Sequence, residues 1–99
     1  MPISLVTYRK GGTGEAMIAA TRKLKLALEK YGAESIVISQ VIAGPDAGQW
    51  SIVIEFANWD AFGKAMQAGL HDPAALEARA GLDAVAECVS RRLVAGVDL

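Results

Sequence analysis

The chain has 99 residues and carries ten Lys and Arg against eleven Asp and Glu, a formal net charge of −1. That length makes residues 1–99 one small domain, and the balanced charge excludes the electrostatic footprint of a nucleic-acid binder. Exchanging the two Tyr for the ten Gly in the 53% apolar set gives about 61%, above the usual ~45–50%, and a domain this small buries only about 60–65% of its unfolded surface, so a subunit interface is expected.

Pro2–Tyr8 alternates Ile3, Leu5, Thr7 with Ser4, Val6, Tyr8, which predicts a strand ending at Arg9-Lys10. Gly11-Gly12-Thr13-Gly14 is the turn, with Thr13 as N-cap. The helix then predicted from Gly14 to Tyr31 lines Met17, Ala20, Leu24, Leu28 and Tyr31 along one stripe. Gly32 closes it as a C′ glycine. Glu34–Ile42 alternates again as a second strand, and Gly44-Pro45-Asp46-Ala47-Gly48 has the turn chemistry of a hairpin.

Gln49–Phe56 is the third strand, with Trp50, Ile52, Ile54 and Phe56 on one face. At Asn58, an N-cap, the period changes: Trp59, Phe62, Ala65, Met66 and Leu70 recur at helical spacing. Asp72-Pro73 is a cap followed by Pro at N1 and opens a short helix to about Ala80, which Gly81 is expected to break. Asp83–Glu87 fits helix or strand. Cys88–Val94 alternates as the last strand.

The order β-α-β-β-α-(α)-β is that of a ferredoxin-like α+β fold, a four-stranded antiparallel sheet with its helices on one face. By parity Ile3, Leu5, Ile36, Ile38, Trp50, Ile52, Ile54, Phe56, Val89 and Leu93 face the helices. The reverse face carries Val6, Tyr8, Val37, Val41, Val53 and Val94 among Ser4, Ser39, Ser51, Glu55, Ser90 and Arg92. No helix remains to cover it. So large a half-apolar face predicts a homodimer through the sheet.

This pattern resembles the dimeric α/β-barrel superfamily, in which two ferredoxin-like subunits pack sheet against sheet. Glu55-Phe56-Ala57-Asn58-Trp59-Asp60-Ala61-Phe62 is similar to the strand-to-helix junction of its small members, and His71-Asp72-Pro73 to the Asp-Pro after their second helix. Those members include NIPSNAP-like, antibiotic-biosynthesis monooxygenase-like and stress-responsive barrel proteins. The resemblance implies a pocket between sheet and helices that takes a small apolar or aromatic metabolite. It also carries an alternative: a monooxygenase- or isomerase-type enzyme without a cofactor, whose chemistry needs little beyond a dry pocket and a hydrogen bond to an anionic substrate.

Other chemistry is argued down by the residues themselves. Lys10-Gly11-Gly12-Thr13-Gly14 is similar to a P-loop, but Glu15 and Ala16 stand where a phosphate-binding Lys and a hydroxyl are required. Turn and N-cap explain it. One histidine, His71, and one cysteine, Cys88, make neither a closed metal site nor an internal disulfide. One axial histidine suffices for haem, yet haem-degrading members of the superfamily pair it with an Asn on the first strand, and Ile3–Tyr8 holds none. No cofactor or metal is therefore expected. Nor is any run near 18 apolar residues, and Met1-Pro2-Ile3 leads into a strand with no signal-like segment. A cytoplasmic protein is expected.

Trp50 and Trp59 read first as core or interface residues. Glu55 and Arg92 share the reverse face, where a pair across the dimer is conceivable. Thr7, Gln40 and Arg91 are polar intrusions on the helix-facing side, either strand ends reaching water or the mouth of the pocket. Tyr8, Trp59, His71 and Arg91 are the candidate pocket residues, expected to converge on a cavity of at least ~300 Å³. No catalytic residue is assigned.

Overall fold

A computed structural model describes residues 1–97. Its elements are β1 (Ile3–Lys10), α1 (Gly14–Glu29), β2 (Ala33–Gln40), β3 (Trp50–Phe56), α2 (Trp59–Gly69), α3 (Pro73–Val85) and β4 (Glu87–Ala95). The strands form one antiparallel sheet in the order β2-β3-β1-β4. This is the ferredoxin-like α+β arrangement expected from the element order.

Local chemistry sets the boundaries. The Thr13 hydroxyl accepts from the Ala16 N–H at 3.2 Å, the Asn58 side chain from Ala61 at 2.9 Å, and Asp72 from Ala74 at 2.8 Å. Each cap satisfies one donor that the first helical turn leaves unpaired. The β2–β3 hairpin closes through Gly48 N–H to the Val41 carbonyl at 2.8 Å, with Gly44 and Gly48 at φ 110° and 92°. Gly32, at φ 93°, ends the first helix as expected, although the regular turns stop at Glu29 and not Tyr31.

Gly81 does not break its helix. The helix α3 runs on to Val85, which also settles Asp83–Val85 as helical, and the strand starts at Glu87. Gly81 is exposed, but Ala78 and Leu82 on either side of it are 4% and 2% exposed. Glycine costs a helix interior about 1 kcal/mol, whereas burying a Leu side chain returns about 1.5–3 kcal/mol. Packing decides.

On the sheet's helix-facing side, Ile52, Ile54 and Phe56 are buried against Met17, Leu28, Ala65 and Leu82, and Ile3 is fully buried as well. Two cross-strand rows define this side: Ile36–Ile54–Leu5–Leu93 and Ile38–Ile52–Thr7–Arg91. At the β4 edge the helix-facing expectation is only half met, since Val89 and Leu93 remain 48% and 49% exposed. A register shift between Tyr8 and Arg9 sets Cys88, rather than Val89, opposite Arg9. The reverse side carries the rows Val37–Val53–Val6–Arg92 and Ser39–Ser51–Tyr8–Ser90, and among the described residues no helix or further strand lies over it.

Gly12 ties the turn after β1 to the helices. Its φ is +77°, and an added Cβ would stand 3.0 Å from the Val85 carbonyl oxygen and 3.2 Å from Met17 Cγ and Sδ. The left-handed backbone alone costs an alanine about 1–2 kcal/mol, and the carbonyl cannot swing away without pulling on the end of α3. Gly11, at φ +92°, has open space around the same position. Gly12→Ala is therefore expected to lower the urea midpoint more than Gly11→Ala. Equal midpoints for the two variants would refute the steric argument.

Candidate functional site: a cavity between sheet and helices

A cavity of about 210 Å³ lies between the sheet and the helices. Its floor is Leu5, Thr7, Arg9, Ile52 and Ile54 of the central strands, with Arg91 from β4. Leu24 and Leu28 of α1, Ala65, Met66 and Gly69 of α2, and Ala75, Arg79 and Leu82 of α3 form the walls, with Leu70 just past α2. The volume is smaller than the expected ~300 Å³ that drug-sized ligands require. Small residues at Ala65, Gly69 and Ala75 hold it open, because no side chain there reaches across. A more open groove adjoins it between α2 and β4 and shares Leu5, Met66 and Arg91.

The wall is apolar apart from Thr7 and three arginines. Thr7 is 6% exposed and Arg9 only 3%. Arg9 Nη1 donates to Asp83 Oδ1 at 2.8 Å and to the Ala86 carbonyl at 3.1 Å, while its Nε is buried without a partner. The ion pair joins the end of β1 to the last turn of α3. Arg91 sits beside Thr7 in the sheet register, on the helix-facing side that parity assigned to it. Of the three polar intrusions, Thr7 and Arg91 mark the pocket; Gln40 reaches the Gly48 carbonyl in the hairpin, at 3.5 Å.

The other three candidates stand outside the cavity wall. Tyr8 lies on the reverse face, its ring 5.8 Å from the Arg92 guanidinium carbon. Trp59 is 56% exposed and meets Phe62 edge-on, with centroids 6.1 Å apart. His71 is exposed in the turn between α2 and α3. Glu55 accepts from the Ser35 hydroxyl at 3.3 Å, and among the described residues it makes no ion pair with Arg92. Arg9 and Arg79 were not singled out from the sequence. The available signal was parity: Arg9 continues Ile3, Leu5 and Thr7 along the helix-facing side of β1.

A second polar cluster, at the start of α3, braces the wall. The Tyr31 hydroxyl donates to Asp72 Oδ2, and Lys30 Nζ lies 3.6 Å from the same oxygen. The Tyr31 hydrogen bond, then the Ala74 N–H, with Lys30 adding, hold the Asp72 carboxyl below the usual carboxylate range. The same hydrogen bond, with desolvation and the carboxylate's charge, pushes the Tyr31 phenol up. A lowered acid pKa stabilises the fold above the ordinary carboxylate range and loses that effect as pH falls through the folded value. A raised phenol pKa stabilises it below about pH 10 and loses that effect as pH rises further. Tyr31→Phe is thus expected to flatten the alkaline fall of the thermal midpoint and make its acid fall shallower, leaving the Ala74 and Lys30 contributions. Midpoints of both proteins from pH 2 to 11 check this; superimposable profiles would refute it.

Among the described residues no group of three or more His, Cys, Asp or Glu could hold a metal, and no helix is long and apolar enough to cross a membrane. No family model matches the sequence, and no curated protein matches it. Solved structures do share the fold. SnoaB, a cofactor-independent oxygenase from Streptomyces nogalater, is 13% identical with TM-score 0.69, covering 99% of this chain and 95% of its own. Rv0793 from Mycobacterium tuberculosis is 15% identical with TM-score 0.60, covering 100% and 98%. A dimeric protein of unknown function and ferredoxin-like fold from Bacteroides fragilis is 17% identical with TM-score 0.53, covering 94% and 92%. The resemblance to small antibiotic-biosynthesis monooxygenase-like proteins holds at the level of fold.

Proposed function

We propose that this chain is a cytoplasmic homodimer, paired through the reverse face of its sheet, that binds a small apolar or aromatic metabolite between sheet and helices. The observation that carries the reading is the cavity: about 210 Å³, bounded by three helices and the central strands, open on one side and lined mainly by aliphatic side chains. Its size suits a mono- or bicyclic ring or a short branched chain. The dimer rests on the uncovered face, where Val37 and Val94 are 54% and 49% exposed. A dimeric protein from Bacteroides fragilis with the same fold supports it.

A second reading, a cofactor-independent oxygenase, is favoured by the SnoaB fold together with guanidinium groups in an apolar wall. Such chemistry would need this chain only to exclude water and stabilise an anionic substrate.

Binding of 2-naphthol, followed by its fluorescence, tests the ligand reading. A Cβ added at Gly69 meets nothing within 4 Å, so Gly69→Leu can grow into the cavity without unfolding α2. Micromolar binding to the wild type is expected, weakened at least tenfold by Gly69→Leu. No binding to the wild type, or equal binding to both proteins, would overturn the reading.

A further inference from the structure

The three arginines of the cavity have no use in the binding of a purely apolar molecule. Arg9 is 3% exposed and half-satisfied: Nη1 is engaged by Asp83 and the Ala86 carbonyl, while Nε is buried with no partner. Arg79 and Arg91 reach the same cavity from α3 and β4. Among the described residues neither makes an ion pair or a side-chain hydrogen bond. No carboxylate lines the wall. Among the described residues the three guanidinium groups have one ion-pair partner, Asp83, whose side chain is 55% exposed.

We infer that the ligand of this cavity is a small apolar acid whose carboxylate is held by Arg79 and Arg91 beside the fixed charge of Arg9. The inference rests on the proposed binding site and adds the charge of its occupant. The buried Arg9 Nε–H has no partner, a costly state that a carboxylate oxygen placed beside Arg9 would relieve. A planar guanidinium matches a carboxylate through two parallel hydrogen bonds, while the aliphatic wall takes the apolar body of the ligand. Arg9, tied to β1 and α3 by its ion pair, cannot turn away from the cavity. The exposed arms of Arg79 and Arg91 can close on the ligand from two sides. A planar carboxylate matches the guanidinium fork in a cavity of about 210 Å³, and a bulkier phosphate ester is expected to fit it less well.

Calorimetric titration of the full chain with 2-naphthoate, its neutral isostere 2-naphthamide, and 2-naphthyl phosphate tests this at low salt. The wild type is expected to bind the carboxylate at least tenfold more tightly than the amide, and more tightly than the phosphate ester. In the Arg79→Gln, Arg91→Gln double variant, both positions being solvent-exposed, the carboxylate-to-amide ratio should fall toward one. Amide binding equal to that of the carboxylate in the wild type would overturn the inference and leave the ligand reading standing. So would a ratio that survives the double substitution, or tighter binding of the phosphate ester. If none of the three binds, the site reading and the inference fall together.

Discussion

Val53→Asp is expected to leave a folded monomer at micromolar concentration where the wild type sediments as a dimer. Val53 lies mid-strand in β3, between Val37 and Val6 in one cross-strand row of the reverse face. Glu55, two residues on, shares that face, so in a dimer paired through it the new carboxylate would join an existing one against the partner's apolar surface. Burying such a charge unpaired costs several kcal/mol, and every 1.4 kcal/mol is a factor of ten in the dissociation constant. Inside one subunit the same position looks outward, so circular dichroism and the unfolding transition of the monomer should stay cooperative. Val53→Thr keeps the shape without the charge and should remain dimeric. Sedimentation equilibrium of the three proteins decides the matter: a monomeric wild type would refute the dimer, and a dimeric Val53→Asp would move the interface elsewhere.

The architecture was legible because its signals are local. Alternation in Glu34–Ile42 and Gln49–Phe56, the hairpin chemistry of Gly44–Gly48 and the caps at Thr13, Asn58 and Asp72 each depend on a few neighbouring residues, and each recurs in the structure. The failure at Gly81 has the opposite cause. Helix propensity is read along the chain, while the burial of Ala78 and Leu82 that overrides it comes from elements distant in sequence. The same holds for β4, where alternation gives the facing of Leu93 but not the incomplete cover that leaves it half-exposed.

The candidate site was legible only in part, for reasons of residue type. An arginine at a strand end looks like a residue reaching water, and Arg9 becomes a buried group only because Asp83 arrives from 74 residues away. Arg79 lay hidden in a helix expected to stop at Gly81. Arg91 stood out, since parity sets it among aliphatic neighbours on the helix-facing side. Tyr8, Trp59 and His71 are candidates by residue type alone. Their positions put Tyr8 on the reverse face of the sheet and the other two at the surface. The cavity itself has no sequence signature. It is the space left where Ala65, Gly69 and Ala75 fall opposite Leu5 and Ile54.

Phe56→Ala is expected to cost about 3–5 kcal/mol, the range for emptying a buried aromatic site, out of a total of about 5–15 kcal/mol for a whole domain. Phe56 is fully buried at the end of β3, where the register sets it between Ile3 and Ala33. Its ring meets Phe62 of α2 edge-on, at 5.5 Å between centroids. That contact fixes α2 over the sheet, and α2 in turn supplies Ala65, Met66 and Gly69 to the cavity wall. The loss should therefore reach the site as well as the fold. Phe62 is only partly buried, so Phe62→Ala should cost less than Phe56→Ala. The two costs should also fail to add by about 0.5–1.5 kcal/mol, the coupling of an edge-to-face aromatic pair. Urea unfolding of both single variants and the double variant measures all three quantities. Additive losses would show that the rings pack as independent apolar bodies. In that case Phe56 would hold the sheet's end without positioning α2, and 2-naphthol affinity would be unaffected by Phe62→Ala.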